Sequence, residues 1–196
     1  IITHDIDCEI INHDRSEHKE KIAAENNQET FGNLSSLLKC FEVAKKDQSD
    51  LIYFVEDDYL HYEHSLVDML NTYERVSSQH KDEIIVCPSD YPFNYMNNEK
   101  TNILIGSQQH WRTITKMLCT FMISKKMFQK HIENFDKTCE KRHEPFEKYL
   151  NKILESEIGI SPIKSLAIHM TNVNSSYGLS PFIDIKKLWE ENKIDQ

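Results

Sequence analysis

Glycine and proline are both scarce, at four and five residues in a chain of 196. No glycine-rich run resembles a phosphate-cradling loop, which counts against the nucleotide folds that hold a triphosphate in that way. Nor is there an internal repeat or a low-complexity linker. The five cysteines, Cys8, Cys40, Cys87, Cys119 and Cys139, are odd in number and widely spaced, with no CxxC pair. That excludes a zinc knuckle and points to reduced thiols of a cytoplasmic-type compartment rather than a disulfide frame. Cys40, Cys87 and Cys119 lie within apolar runs and read as core residues. No apolar run is long enough to span a bilayer, and no secretory leader is visible, so no integral membrane segment is expected. Positive charge is also short: 23 Lys and Arg face 32 Asp and Glu, a formal net charge of −9. A broad nucleic-acid surface is therefore not expected, although one local basic pocket stays open. The chain opens on Ile1 rather than Met, and sequence upstream, including a first strand, is expected to be missing.

What is present suits one folded domain. Hydrophobic residues make up 39% and charged residues 28%, enough for a core without the signature of disorder. Cys8–Asn12 reads as a short strand, and Leu34, Leu37, Leu38, Phe41 and Ala44 follow helical spacing behind Asn33 as N-cap. Leu51–Val55 is too short and too continuously apolar for a surface helix and reads as a buried strand. Leu66, Met69, Leu70, Tyr73 and Val76 mark one face of a second helix. "EIIVCP", "TNILIG", "MLCTFMIS" and "IKSLAIHM" are further strand candidates, with helices expected from about Pro145 and over "DIKKLWEEN". Alternating strands and helices imply an α/β layered sheet, and continuous apolar strands imply that both its faces are covered.

The stretch "DLIYFVEDDYLH" runs a buried strand straight into Glu56, Asp57 and Asp58. Each carboxylate raises the cost of ionising the next unless a cation or strong donors lie among them. A solvated turn is the plain alternative. Ligands of α/β sheets bind beyond the carboxyl ends of the strands, where these acids fall. In extended geometry Glu56 and Asp58 would point one way and Asp57 the other. Two converging carboxylates make a hard oxygen site for Mn²⁺ or Mg²⁺, ions that complete their shell with water and substrate phosphates.

The order "CEIINHDRSE", "NLSSLLKCFEVA", "DLIYFVEDDYLH" resembles the nucleotide-binding half of GT-A-type glycosyltransferases, in small bacterial- or viral-type members. "SDYPFNY", "HWRTITKMLCTFMIS" and "AIHMTNVNSSYGLSPF" extend the resemblance loosely over most of the chain. It implies a Rossmann-related α/β/α domain with a mixed central sheet, the nucleotide-binding half at about 1–60 and the acceptor and catalytic half at about 61–196. It further implies a metal-dependent transferase that moves a sugar from a nucleotide-diphosphate donor to a glycan or other hydroxyl acceptor. Asp58 matches the acid of a DxD-like motif that touches the metal, Glu56 its first acid, and His169 the distant ligand supplied by a late strand. A histidine hydrogen-bonded at a strand end is an equal reading of His169.

Asp14 and Asp57 match positions facing the nucleoside, and Asn33 the helix start beside it. "HDRSEHKE" departs from the family's Asp-x-Ser-x-Asp by Glu17 and His18, which leaves the nucleotide open. An inverting reaction needs a carboxylate base. Glu144, at a helix start in "KRHEPFEKYL", is expected in that role ahead of Asp90, and a structural cap is its alternative. Arg112 would fork onto diphosphate while Trp111 stacks on a sugar face, or both belong to a surface loop. Two other readings remain: a sugar nucleotidyltransferase, and a non-catalytic domain that binds a glycan or a protein.

Overall fold

The computed structural model describes residues 9–22, 25–96, 98–174 and 179–193. Its centre is a six-stranded mixed sheet. In chain order the strands are β1 (Leu51–Phe54), β2 (Tyr59–His61), β3 (Ile84–Val86), β4 (Ile103–Ile105), β5 (His110–Ile114), β6 (Phe121–Ser124), β7 (Ile158–Pro162) and β8 (Ala167–His169). The large sheet runs β1-β6-β3-β7-β5-β4, and β2 and β8 form a separate two-stranded ribbon. Among the described residues only β3 and β7 pair in parallel, so β1, β3, β7 and β4 share one direction while β6 and β5 oppose it.

Alternation within these strands divides the core. Phe121 and Ile123 of β6 and Ile85 of β3 face one cluster, while Met122, Ile84 and Val86 face the other. The first face carries α1 (Gln28–Lys46), α3 (Lys125–Lys130), α4 (Ile132–Cys139) and α5 (Lys148–Ile153). Phe41, Phe54, Phe128 and Phe135 meet there, with edge-to-face contacts of Phe41 on Phe54 at 5.2 Å and on Phe135 at 5.1 Å. The opposite face is covered by α2 (Ser65–His80) through Met69 and Val76. The expected helix–sheet–helix layering is present, with both faces of the central strands covered. The last helix, α6 (Ile185–Glu191), starts at Asp184, whose carboxylate accepts from Lys187 N at 3.0 Å. No described helix is long and apolar enough to cross a membrane.

Helix α1 starts earlier than its apolar stripe. Asn27 is the N-cap, accepting from Thr30 N at 2.9 Å, so Asn33 lies inside the first turns instead of capping them. The strand expected at Cys8–Asn12 is not formed over residues 9–12, where Ile10 and Ile11 are exposed; Cys8 lies outside the described residues. The chain instead turns through a 3₁₀ segment, Arg15–His18, and locks onto α1 with polar contacts. Buried His18 bridges Ser35 Oγ (2.9 Å from Nδ1) and Glu42 Oε2 (3.2 Å from Nε2), and Lys21 also binds Glu42. The hydrogen bond from Lys21 draws the Glu42 carboxyl down to about 2. Ser35 is fully buried, so this Ser–His–Glu chain is a clamp without access for a substrate.

Gly106 follows β4 at the place where the chain passes beneath Trp111. A Cβ there would lie 2.2 Å from both Cδ1 and Nε1 of the indole and 2.9 Å from Thr72 Oγ1. Because Trp111 is fully buried, its ring has nowhere to move. Gly106→Ala is expected to destabilise the fold by about 1–3 kcal/mol, read from the urea unfolding midpoint. An unchanged midpoint would contradict this packing.

Candidate functional site

Beyond Phe54 the chain leaves the large sheet and enters the ribbon, and the three acids make the transition. Tyr59 N donates to Glu56 O at 3.4 Å, closing a turn, so the extended alternation expected over Glu56–Asp58 is not kept. The physical reason is the change of sheet, which requires the backbone to bend where the acids lie. Thr120, fully buried beside β6, anchors the bend. Its hydroxyl accepts from Glu56 N at 3.0 Å and donates to Glu56 Oε2 at 3.3 Å.

The ribbon then brings two distant residues together. Tyr59 pairs with His169, and Met170 N donates to Asp58 O at 2.9 Å. The result places His169 Nε2 2.8 Å from Asp58 Oδ2. The Thr171 hydroxyl lies 3.4 Å from the same Asp58 oxygen and 3.3 Å from His169 Nε2. The imidazole stacks on Tyr59 with centroids 4.8 Å apart and planes at 10°. Tyr59 is itself held by a 2.8 Å hydroxyl contact with buried Tyr91. Asp58 remains 41% exposed and His169 18%, so the pair is fixed from behind and open in front.

Glu56 is the electrically costly member. Burial pushes its carboxyl up to about 7; Asp58, Glu147 and Asp57 add to the rise, and the Thr120 hydroxyl offsets part of it. Glu147, at the N-terminus of α5, is likewise raised by burial, with a further contribution from Glu144. Glu147 therefore belongs to the same electrostatic site as Glu56. The sequence signal for it was its place one turn into "HEPFEKYL".

The remaining expected residues divide. Asn33 and Glu144 meet in a cleft of about 430 Å³ between α1 and the start of α5, together with Thr30, Arg142 and Glu147. Glu144 is exposed there and Glu147 half-buried. Asp57 is exposed on the turn. Asp14 is an exposed cap whose carboxylate accepts from Ser16 N at 2.9 Å, a bond that lowers its pKa. Trp111 and Arg112 do not form the expected ligand-binding loop; they lie in β5. Trp111 is fully buried in the core against α2 and offers no face to a sugar. The Arg112 guanidinium is paired with buried Asp90 and lies 4.1 Å over the Tyr95 ring, which leaves no fork for diphosphate. Asp90 is also bound by Tyr95 and Ser180, and burial outweighs these partners to raise its carboxyl. This closed cluster removes Asp90 as an alternative base.

Among the described residues no group of three or more His, Cys, Asp and Glu side chains converges as a ready metal cage. Glu56 is turned to Thr120, so the expected trio contracts to Asp58 and His169. One oxygen and one nitrogen donor on an open face suit a cation that takes its other ligands from water and phosphate. No family model, curated protein or solved structure matches the chain.

The raised Glu56 carboxyl has a signed consequence. The folded state holds a proton between the ordinary value of 4.5 and about 7, so stability falls as pH rises through that window and the penalty is complete above it. With EDTA present, Glu56→Gln should therefore be more stable than the parent at pH 8, by about 1–3 kcal/mol. The difference should vanish below pH 4.5. Urea unfolding at both pH values measures it, and equal stability at pH 8 would contradict the buried placement of the carboxylate.

Proposed function

We propose that the chain is a metal-dependent glycosyltransferase of GT-A type, moving a sugar from a nucleotide-diphosphate donor to a hydroxyl, as on a glycan. The observation that carries this reading is the 2.8 Å pair of Asp58 and His169, held open beyond the carboxyl end of β1. A bare structural turn has no need of a histidine brought from 111 residues away to face its acid. The alternation of helices and strands and the mixed sheet accord with the same reading.

Asp58 and His169 would hold Mn²⁺ or Mg²⁺. Such a cation, when bound with the donor, neutralises charge developing on the departing phosphate oxygen. The chain's own residues do the rest. Thr171 and the Tyr59 ring fix the imidazole, so Nε2 stays beside the Asp58 carboxylate. In an inverting displacement the acceptor oxygen forms its bond to the anomeric carbon as the bond to diphosphate breaks, and the acceptor's proton passes to a carboxylate. We assign that role to Glu147 instead of Glu144. Its half-buried position raises its pKa toward the working range of a base, whereas Glu144 stands exposed at the rim of the cleft. Asn33 and Asp57 remain the residues assigned to the donor side.

The test is calorimetric titration with UDP, GDP and their glucose and mannose conjugates, with Mn²⁺ and then with EDTA. At least one should bind only with metal, and Asp58→Asn should weaken that binding by about 100-fold, the upper end of what even supporting residues of a metal site cost. Binding indifferent to both metal and Asp58→Asn would replace the transferase with a glycan- or protein-binding domain. Pyrophosphate release from a nucleoside triphosphate and a sugar phosphate would favour a nucleotidyltransferase.

A further inference from the structure

The β2–β8 ribbon has a second end. Tyr62 N donates to Leu166 O at 3.0 Å just past its last rung, about 10 Å along the strand from the Asp58–His169 pair at the usual rise per residue. A separate cleft of about 460 Å³ opens there, bordered by Tyr62, Asp68, Gln108, Gln109, Lys164 and Phe182.

The floor of this cleft is polar and fixed. Asp68 is only 2% exposed and lies on the buried stripe of α2, between Ser65 and Thr72. Its Oδ1 accepts from Gln108 N and from Thr72 Oγ1, both at 3.2 Å, and its Oδ2 accepts from Gln109 Nε2 at 3.2 Å. The other end of the Gln109 amide accepts from Lys164 N at 3.2 Å. Three separate segments are thus bound to one another through a single buried carboxylate. Among the described residues, neither the Gln108 amide nor the Lys164 ammonium has a side-chain partner.

The rim is built differently. Phe182 is 80% exposed and adopts φ 69°, in the left-handed region that a bulky side chain avoids. An aromatic held out at that φ gains little from packing to offset the strain, and such outliers concentrate where a ligand is gripped. Its segment is tied to the ribbon by Asp184 N, which donates to Tyr62 Oη at 3.1 Å.

We propose that this cleft binds a neutral oligosaccharide. A pyranose with mostly equatorial hydroxyls presents a face of axial C–H groups, which packs on the Phe182 ring, while its hydroxyls meet the Gln108 amide and the Lys164 ammonium. A neutral ligand follows from the charges around the cleft. Among the residues bordering the cleft, Asp68 and Asp184 match Lys164 and Lys187 in number. One exposed ring bordering the same cleft as free hydrogen-bonding groups suits a sugar better than a peptide, which needs an apolar pocket for a side chain. The assignment does not depend on the cation site.

The test is ¹⁵N-resolved NMR of the full chain with chitotriose, cellotriose and lactose, each raised to about 20 mM against an expected Kd on the order of 1 mM. At least one should shift the amides of Gln108, Gln109, Ser165 and Asp184, unchanged by EDTA or by Asp58→Asn. Phe182→Ala should weaken it about tenfold, and Phe182→Tyr should retain it. Shifts with none of the three, shifts that Phe182→Ala leaves intact, or shifts centred on Glu56 and Asp58 would each overturn the proposal.

Discussion

The contact between Asp58 and His169 depends on a ribbon that could not stand alone. Two strands of three residues are marginal in water. What holds them is Tyr59, which is buried, stacks on His169 and meets the Tyr91 hydroxyl from another segment. The ribbon aligns the acid with the imidazole, and the aromatic stack behind the imidazole holds the ribbon. The far rungs have anchors of their own: Asn192 Nδ2 donates to His61 O and Ser89 Oγ to Ala167 O, both at 2.8 Å, so the aromatic stack is what holds the end that carries the pair.

Several features around this ribbon work against stability. Glu56 is buried next to other carboxylates, and Phe182 is exposed on strained backbone. Elsewhere the chain satisfies local rules closely. Its helices are capped at Asn27 and Asp184, its central strands are buried on both faces, and its charged Arg112 is matched by Asp90. Against that background the buried Glu56 carboxyl and the exposed, strained Phe182 mark places under another demand. Both lie at the ends of the same ribbon.

Much of the layering was legible because it rests on local pattern. The run Leu51–Val55 and the stripe over Leu66–Val76 are encoded by neighbours in sequence, and a strand and a helix formed there, though the strand ends at Phe54 with Val55 exposed, and the helix buries Met69 and Val76 while Leu66 and Leu70 face out. The failures involve residues whose partners are remote. "HWRTI" looked like a loop because His110, Arg112 and Thr113 are polar. It is a strand because Trp111 enters the core and Arg112 finds Asp90, 22 residues earlier. β7, "IGISP", went unread since Gly159 and Pro162 are turn residues by composition. Gly159 is required there by the close approach of Leu154 and Ile114, not by a turn. At the candidate site, Asp58 was visible from its place after a strand, and His169 from its place at a strand end. The bend at Asp57, the Thr120 anchor and the nearness of Glu147 to Glu56 were not, since each arises from a change of sheet or a fold-wide contact.

The central claim is that Asp58 and His169 hold one cation together with the donor's phosphates. Paramagnetic broadening tests it most directly, using the His ring Cε1–H resonances of the full chain with UDP or GDP and substoichiometric Mn²⁺. His169 should broaden first, and His61, half-buried and bonded to Tyr53 on the far side of the Tyr59 ring, should broaden only at higher Mn²⁺. Broadening should disappear in Asp58→Asn even though His169 is intact. A His169 signal that stays sharp with both nucleotides, or that broadens equally in Asp58→Asn, would contradict the account.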